Sequence, residues 1–188
     1  MPAALRQVLC EELAGGFFKF IDTGVEIGSN GISGLIQHLP LVDSWGFTQP
    51  AGGHQFSTEL DVTYSRQVHR VTSVLAGAQS SSIFCRLLLP RDFGSFPANA
   101  ISLIIYASDI TGPTLAASLL QDGLPDLDAV DILPAAAGAY YLVELTPTWI
   151  YAPGDELLLQ IDFASDAAAQ YADVSDLAIA YTTARGNV

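Results

Sequence analysis

The stretch F-S-T-E-L-D-V-T-Y, Phe56–Tyr64, decides the fold class. Phe56, Thr58, Leu60, Val62 and Tyr64 fall on one side of an extended chain, and Ser57, Glu59, Asp61 and Thr63 on the other. Successive side chains of a strand point to opposite faces, so nine residues of strict alternation predict a half-buried β-strand. The same period returns near the C-terminus, where Leu157, Leu159, Ile161 and Phe163 alternate with Glu156, Leu158, Gln160 and Asp162. Between and beyond these, strands are expected at Ile83–Leu89, Ala100–Ala107, Thr114–Leu120, Leu127–Leu133 and Tyr140–Thr146, with Leu177, Ile179 and Tyr181 on one face of the last. His69–Ala76 is ambiguous, because its valines are spaced by three but are β-branched.

Turn residues separate these segments at Pro90–Pro97, Thr111-Gly112-Pro113, Asp122-Gly123 and Ala152-Pro153-Gly154-Asp155. About eight short strands so punctuated predict an all-β fold, an antiparallel β-sandwich or jelly roll. Residues 54–188 are expected to form it. Residues 1–53 read differently. Leu5, Val8, Leu9 and Leu13 give one face of a short helix over Ala3–Ala14, stopped by Gly15-Gly16, and Phe17–Gly53 reads as an extended, irregular arm.

Charge narrows the partners. The chain has 188 residues and a formal net charge of −13, and from Asp92 to Ala184 it carries 13 of its 20 acids and no Lys, Arg or His. Such a surface repels phosphate, so neither nucleic acid nor an anionic membrane is an expected partner. No stretch approaches the roughly 18 apolar residues of a membrane span. Half the residues are nevertheless hydrophobic and only 14% charged, which points to surface buried between subunits. Two cysteines, Cys10 and Cys85, make no disulfide framework, and Glu11, Glu12 and Lys19 interrupt any signal-peptide core; a reduced, cytoplasmic origin is expected.

Catalytic and metal-binding patterns are thin, and neither an enzyme nor a cofactor is expected. Asp126, Asp128 and Asp131 could offer oxygen ligands to Ca²⁺, but the glycine and terminal Glu of an EF-hand loop are missing, so a solvated turn is the expectation. His38, His54 and His69 lack metal-ligand spacing. Cys85, on an alternating strand, reads as a small buried hydrophobe. Asp155 and Glu156 are adjacent, hence on opposite faces of a strand, and cannot act as paired glycosidase acids. Aromatic side chains are the remaining binding candidates. Trp45, Trp149, Tyr140, Tyr141 and Tyr151 could stack on sugars, although core or subunit packing is the expectation for each. Tyr141 shares a face with the core pattern and Tyr140 falls on the other, while Trp149 and Tyr151, in a loop before Pro153, are expected to be the more exposed.

From Ile83 onward the chain resembles virion structural proteins of tailed bacteriophages. The resemblance rests on F-C-R-L-L-L-P-R-D-F-G-S-F (Phe84–Phe96), I-S-L-I-I-Y (Ile101–Tyr106), Trp149 leading into P-G-D-E-L (Pro153–Leu157), and the closing strand Leu177–Tyr181. It implies a capsid decoration, or cement, protein on the virion surface: a jelly-roll homotrimer that holds the major capsid protein by contacts alone, with no catalytic residues to carry over. The alternative is a receptor- or carbohydrate-binding module of a phage tail fibre or spike.

Overall fold

A computed structural model describes residues 16–21, 24–29, 36–38, 45–47 and 53–184 of the chain. The expected helix over Ala3–Ala14 lies outside these residues. Every strand pairing in the structure is antiparallel.

Four short strands precede the sandwich proper: β1 (Gly16–Ile21), β2 (Gly24–Ser29), β3 (Ile36–His38) and β4 (Trp45–Phe47). Ten follow: β5 (His54–Asp61), β6 (Arg66–Ser73), β7 (Gln79–Leu88), β8 (Phe93–Ser95), β9 (Ile101–Ala107), β10 (Thr114–Gln121), β11 (Leu124–Asp131), β12 (Tyr140–Leu145), β13 (Glu156–Ser165) and β14 (Tyr171–Thr183). One sheet runs β11-β10-β13-β7-β4 and the other β12-β9-β14-β6-β5, with β3 and β8 added along β14; among the described residues β1 and β2 pair with each other alone. The segment expected to be an irregular arm thus places one short strand on each sheet.

The core lies between the two sheets, and period-2 alternation fills it. From β13 come Leu157, Leu159, Ile161 and Phe163, opposite Leu87, Cys85, Ile83 and Ser81 of β7 in register. From β9 come Ile101, Leu103, Ile105 and Ala107, all at most 1% exposed. Each fully buried Leu or Ile contributes about 1.5–3 kcal/mol relative to exposure, so burial does the work that cross-sheet charge pairs do not.

Three expectations need correction. The Phe56–Tyr64 strand ends at Asp61, and only Phe56 of its apolar side packs against the core; Leu60, Val62 and Tyr64 are 66%, 79% and 56% exposed. The alternation is real but overruns the sandwich. Strand β8, expected to be turn, is three residues long, too short for alternation to register. Finally, β14 begins six residues before the segment Leu177–Tyr181 singled out by the sequence, because its phase changes midway. Ser175 pairs with Ile104 and Ala178 with Ser102, so one extra residue is inserted at Asp176–Leu177. Asp176 takes φ 49° there, and this β-bulge moves the inward set from Ala172 and Val174 to Ile179 and Tyr181.

Candidate ligand-binding surfaces

On the five-stranded sheet, the residues that alternate with the core point outward, and at one end they are small. Ser80, Ala164 and Thr114 stand opposite one another across β7, β13 and β10, with Ser82, Asp162 and Ala116 in the next row. All of these but Ala116, together with Ser81 and Phe163, line a cleft of about 450 Å³, a size that suits a small ligand. Its one carboxylate, Asp162, accepts hydrogen bonds from Ser82 and from Gln160 (2.8 and 2.9 Å). Behind the cleft, His54 joins the sheets: Nδ1 lies 2.6 Å from the Ser81 hydroxyl and Nε2 2.9 Å from that of Ser165. Burial lowers the His54 pKa and favours the neutral ring. The lining therefore offers hydroxyls and one anion, a donor and acceptor set that matches a polyhydroxylated ligand. Sequence reading passed over these residues; the run Gln79-Ser-Ser-Ser82 on a strand was the only signal available.

The outer face of the seven-stranded sheet is of another kind. Tyr171, Tyr106, Tyr140 and Tyr64 form a chain of rings with successive centroid separations of 5.6, 5.1 and 4.9 Å. Two arginines lie on it, Arg70 4.3 Å over Tyr171 and Arg66 4.9 Å over Tyr140. Arg70 also grips Asp173 with two hydrogen bonds of 2.7 and 2.8 Å and reaches Glu59 at 2.8 Å. Those bonds with Asp173, which is 1% exposed, raise the already high pKa of Arg70. Burial, with a hydrogen bond to Tyr106, pushes Tyr171 up to about 12. Burial and then the hydrogen bond to Asp61 raise Tyr140 as well. Of these tyrosines only Tyr140 was a sequence candidate, because the four are brought together by register across strands remote in sequence.

The remaining candidates separate. Tyr151 is buried, not exposed as expected: its hydroxyl donates to Asp126 at 2.7 Å. Trp149 is 41% exposed and Ile150 is 99% exposed. Tyr141 faces the core, against which it packs. The side chain of Trp45 lies outside the described residues. Asp126, Asp128 and Asp131 do not converge: Asp126 is taken up by the Thr148–Tyr151 loop, and Asp131 accepts the Leu133 amide at 3.0 Å. Among the described residues no group of three His, Cys, Asp or Glu side chains could hold a metal ion. Asp155 caps its own turn through the Ala152 amide, and Glu156 pairs with Arg86 at 2.6 Å. Burial pushes the Cys85 thiol up to about 12, which suits packing and not nucleophilic attack. Among the described residues no helix is long and apolar enough to cross a membrane.

No family model and no curated protein sequence matches the chain. Solved structures similar to it include the enzymatically active domain of bacteriophage CBA120 tailspike protein 4, at 13% identity and a TM-score of 0.46, covering 74% of this chain and 19% of that one. A family 11 carbohydrate-binding module from Clostridium thermocellum, in complex with a β-1,3-1,4-mixed-linked tetrasaccharide, is 13% identical with a TM-score of 0.47, covering 77% and 94%. The mannan-recognising module TmCBM27 is 10% identical with a TM-score of 0.44, covering 78% and 96%.

Proposed function

We propose that this β-sandwich is a carbohydrate-binding module, and that it holds a neutral glycan in the cleft of the five-stranded sheet. The cleft itself carries the reading. Asp162 is fixed by Ser82 and Gln160, and Ser80 and Thr114 add hydroxyls around it. A carboxylate that keeps acceptor capacity for sugar hydroxyls is a strong partner for a diol. A net charge of −13 disfavours acidic sugars. The role is binding without turnover. Isothermal titration calorimetry against neutral gluco-, manno- and galacto-oligosaccharides tests it. Binding that falls at least tenfold in Asp162→Ala, with thermal stability preserved, supports the cleft. Binding that survives Asp162→Ala but is lost in Trp149→Ala would move the site to the Trp149 loop.

A second reading, a virion protein that decorates the capsid as a trimer, is favoured by one observation. Leu88, Leu124, Trp149 and Ile150 are all exposed at the end of the sandwich away from the cleft, where β7 ends and β11 begins. Large exposed apolar side chains grouped at one end suit a protein contact. Trimers in analytical ultracentrifugation that are retained on purified capsids, and lost in Ile150→Asp, support this role; a stable monomer that binds no capsid sinks it.

A further inference from the structure

Strands β12 and β5 are the two edges of the seven-stranded sheet. Four inter-strand spacings separate them, about 19 Å in a flat sheet. Yet the Tyr140 hydroxyl on β12 donates to the Asp61 carboxylate on β5 at 2.7 Å. Two side chains cannot span that gap, so the end of the β5–β6 hairpin leaves the plane of the sheet and crosses its outer face.

The register shows where it leaves. Strand β6 pairs with β14 only from His69 to Thr72, whereas the β5–β6 ladder continues to Arg66 opposite Asp61. Residues 61–68 therefore have no backbone ladder to the sheet they cover. Among the described residues, side chains hold them to it: Tyr140 to Asp61, Arg66 Nε to Asp176 at 2.9 Å, Arg66 over the Tyr140 ring, and Tyr64 edge-on to it. Asp176 is the bulge residue of β14. The closed arrangement is imperfectly satisfied. Ser175, outward by register yet 2% exposed, has no hydrogen-bond partner for its hydroxyl, and Arg66 Nη1 is likewise buried and unpaired. Burying such a group without a partner is unfavourable, and opening relieves it. Leu60, Val62 and Tyr64 meanwhile stand in solvent on the hairpin.

We infer that residues 61–68 form a flap, hinged where β6 leaves β14 and latched by Tyr140 and Asp176. Opening it uncovers Val68, Ser175 and the Tyr106–Tyr140 rings and frees the Ser175 hydroxyl and Arg66 Nη1 to take partners from water. The glycan reading of the cleft can fail without touching this inference.

The test uses the full chain carrying Ser175→Cys, a near-isosteric change on the covered face, with the native Cys85 as internal reference. Cys85 is fully buried between the sheets and is expected to react only on global unfolding. Alkylation rates are read for each thiol by peptide-resolved mass spectrometry. The introduced thiol should react at least tenfold faster than Cys85, and adding Tyr140→Phe should speed it a further tenfold or so, the loss of one charge-assisted hydrogen bond, with Cys85 unchanged. Equal rates for the two thiols, or equal acceleration of both by Tyr140→Phe, would overturn the flap. Hydroxyl-radical footprinting of the unaltered chain gives a second readout, in which Val68 must be oxidised well ahead of Val174. Protection of Val68 equal to that of Val174 overturns the flap independently of any variant.

Discussion

The phenol of Tyr151 donates to the carboxylate of Asp126 at 2.7 Å, tying the β12–β13 loop to the start of β11. The same carboxylate accepts the Thr148 and Trp149 amides at 2.8 and 3.0 Å, so one side chain organises the loop that presents Trp149 and Ile150. Burial would raise the Asp126 pKa, but the hydrogen bonds from Thr148, Tyr151 and the two amides outweigh it and the value is lowered.

A lowered folded-state value fixes the sign of a pH effect. The stability that Asp126 contributes is full above its unfolded pKa of about 3.9 and is lost as pH falls through the lower folded value. Asp126→Ala should cost about 1–3 kcal/mol near neutrality, and the gap to the unaltered protein should close below pH 4. Urea titrations at pH 7 and pH 3 measure this; a gap that widens in acid contradicts the assignment.

Leu159 sits at the centre of β13, fully buried, opposite Cys85 on one neighbour and Leu119 on the other. Leu159→Ala should lose about 2–5 kcal/mol by removing apolar burial and leaving a cavity. Leu88→Ala, two thirds exposed on the same sheet, should change stability by less than about 0.5 kcal/mol. Chemical denaturation of the two variants compares them directly.

Cys85, with its thiol pushed up to about 12 by burial, should resist alkylation at pH 8 in the native protein. Modification should appear only with denaturant, along the unfolding curve. Rapid native labelling of this residue would show that the inter-sheet core opens without global unfolding.

Removal of residues 1–50 takes β3 from β14 and the whole of β4 from β7. Every described member of the core cluster lies between Val71 and Tyr181. The truncated chain should keep its far-UV circular dichroism. The uncovered edges should make it associate in sedimentation velocity, since unpaired strands are templates for pairing. Loss of the β signal would place part of the folding information in the first fifty residues.

The sandwich was legible because both inner faces are lined by strict alternation, as Leu157–Phe163 and Ile101–Ala107 illustrate; such a pattern has one reading. Phe56–Tyr64 shows the limit of that logic. Alternation reports the backbone's period, and cannot tell a strand over the core from a hairpin that passes beyond it. The binding surfaces were less legible. Tyr140 could be assigned an outward side, but its neighbours Tyr106, Tyr171 and Tyr64 come from other strands, and only the register of the sheet assembles them. Tyr151 is buried against that expectation because loop position stands for exposure only when no half-buried carboxylate such as Asp126 claims the hydroxyl. The cleft was hidden for the opposite reason: it is made by what Ser80, Ser82 and Ala164 lack in bulk.

The bulge on β14 marks the place in that strand where a residue can be lost without an exchange of faces. Excision of Leu177 would leave Asp176 alone opposite Leu103 and restore unbroken alternation to the ladder with β9, with Ile179 and Tyr181 still turned inward. Related chains should therefore gain or lose a residue at Asp176–Leu177 more readily than in the regular ladder on either side, where a single deletion turns every following side chain to the other face.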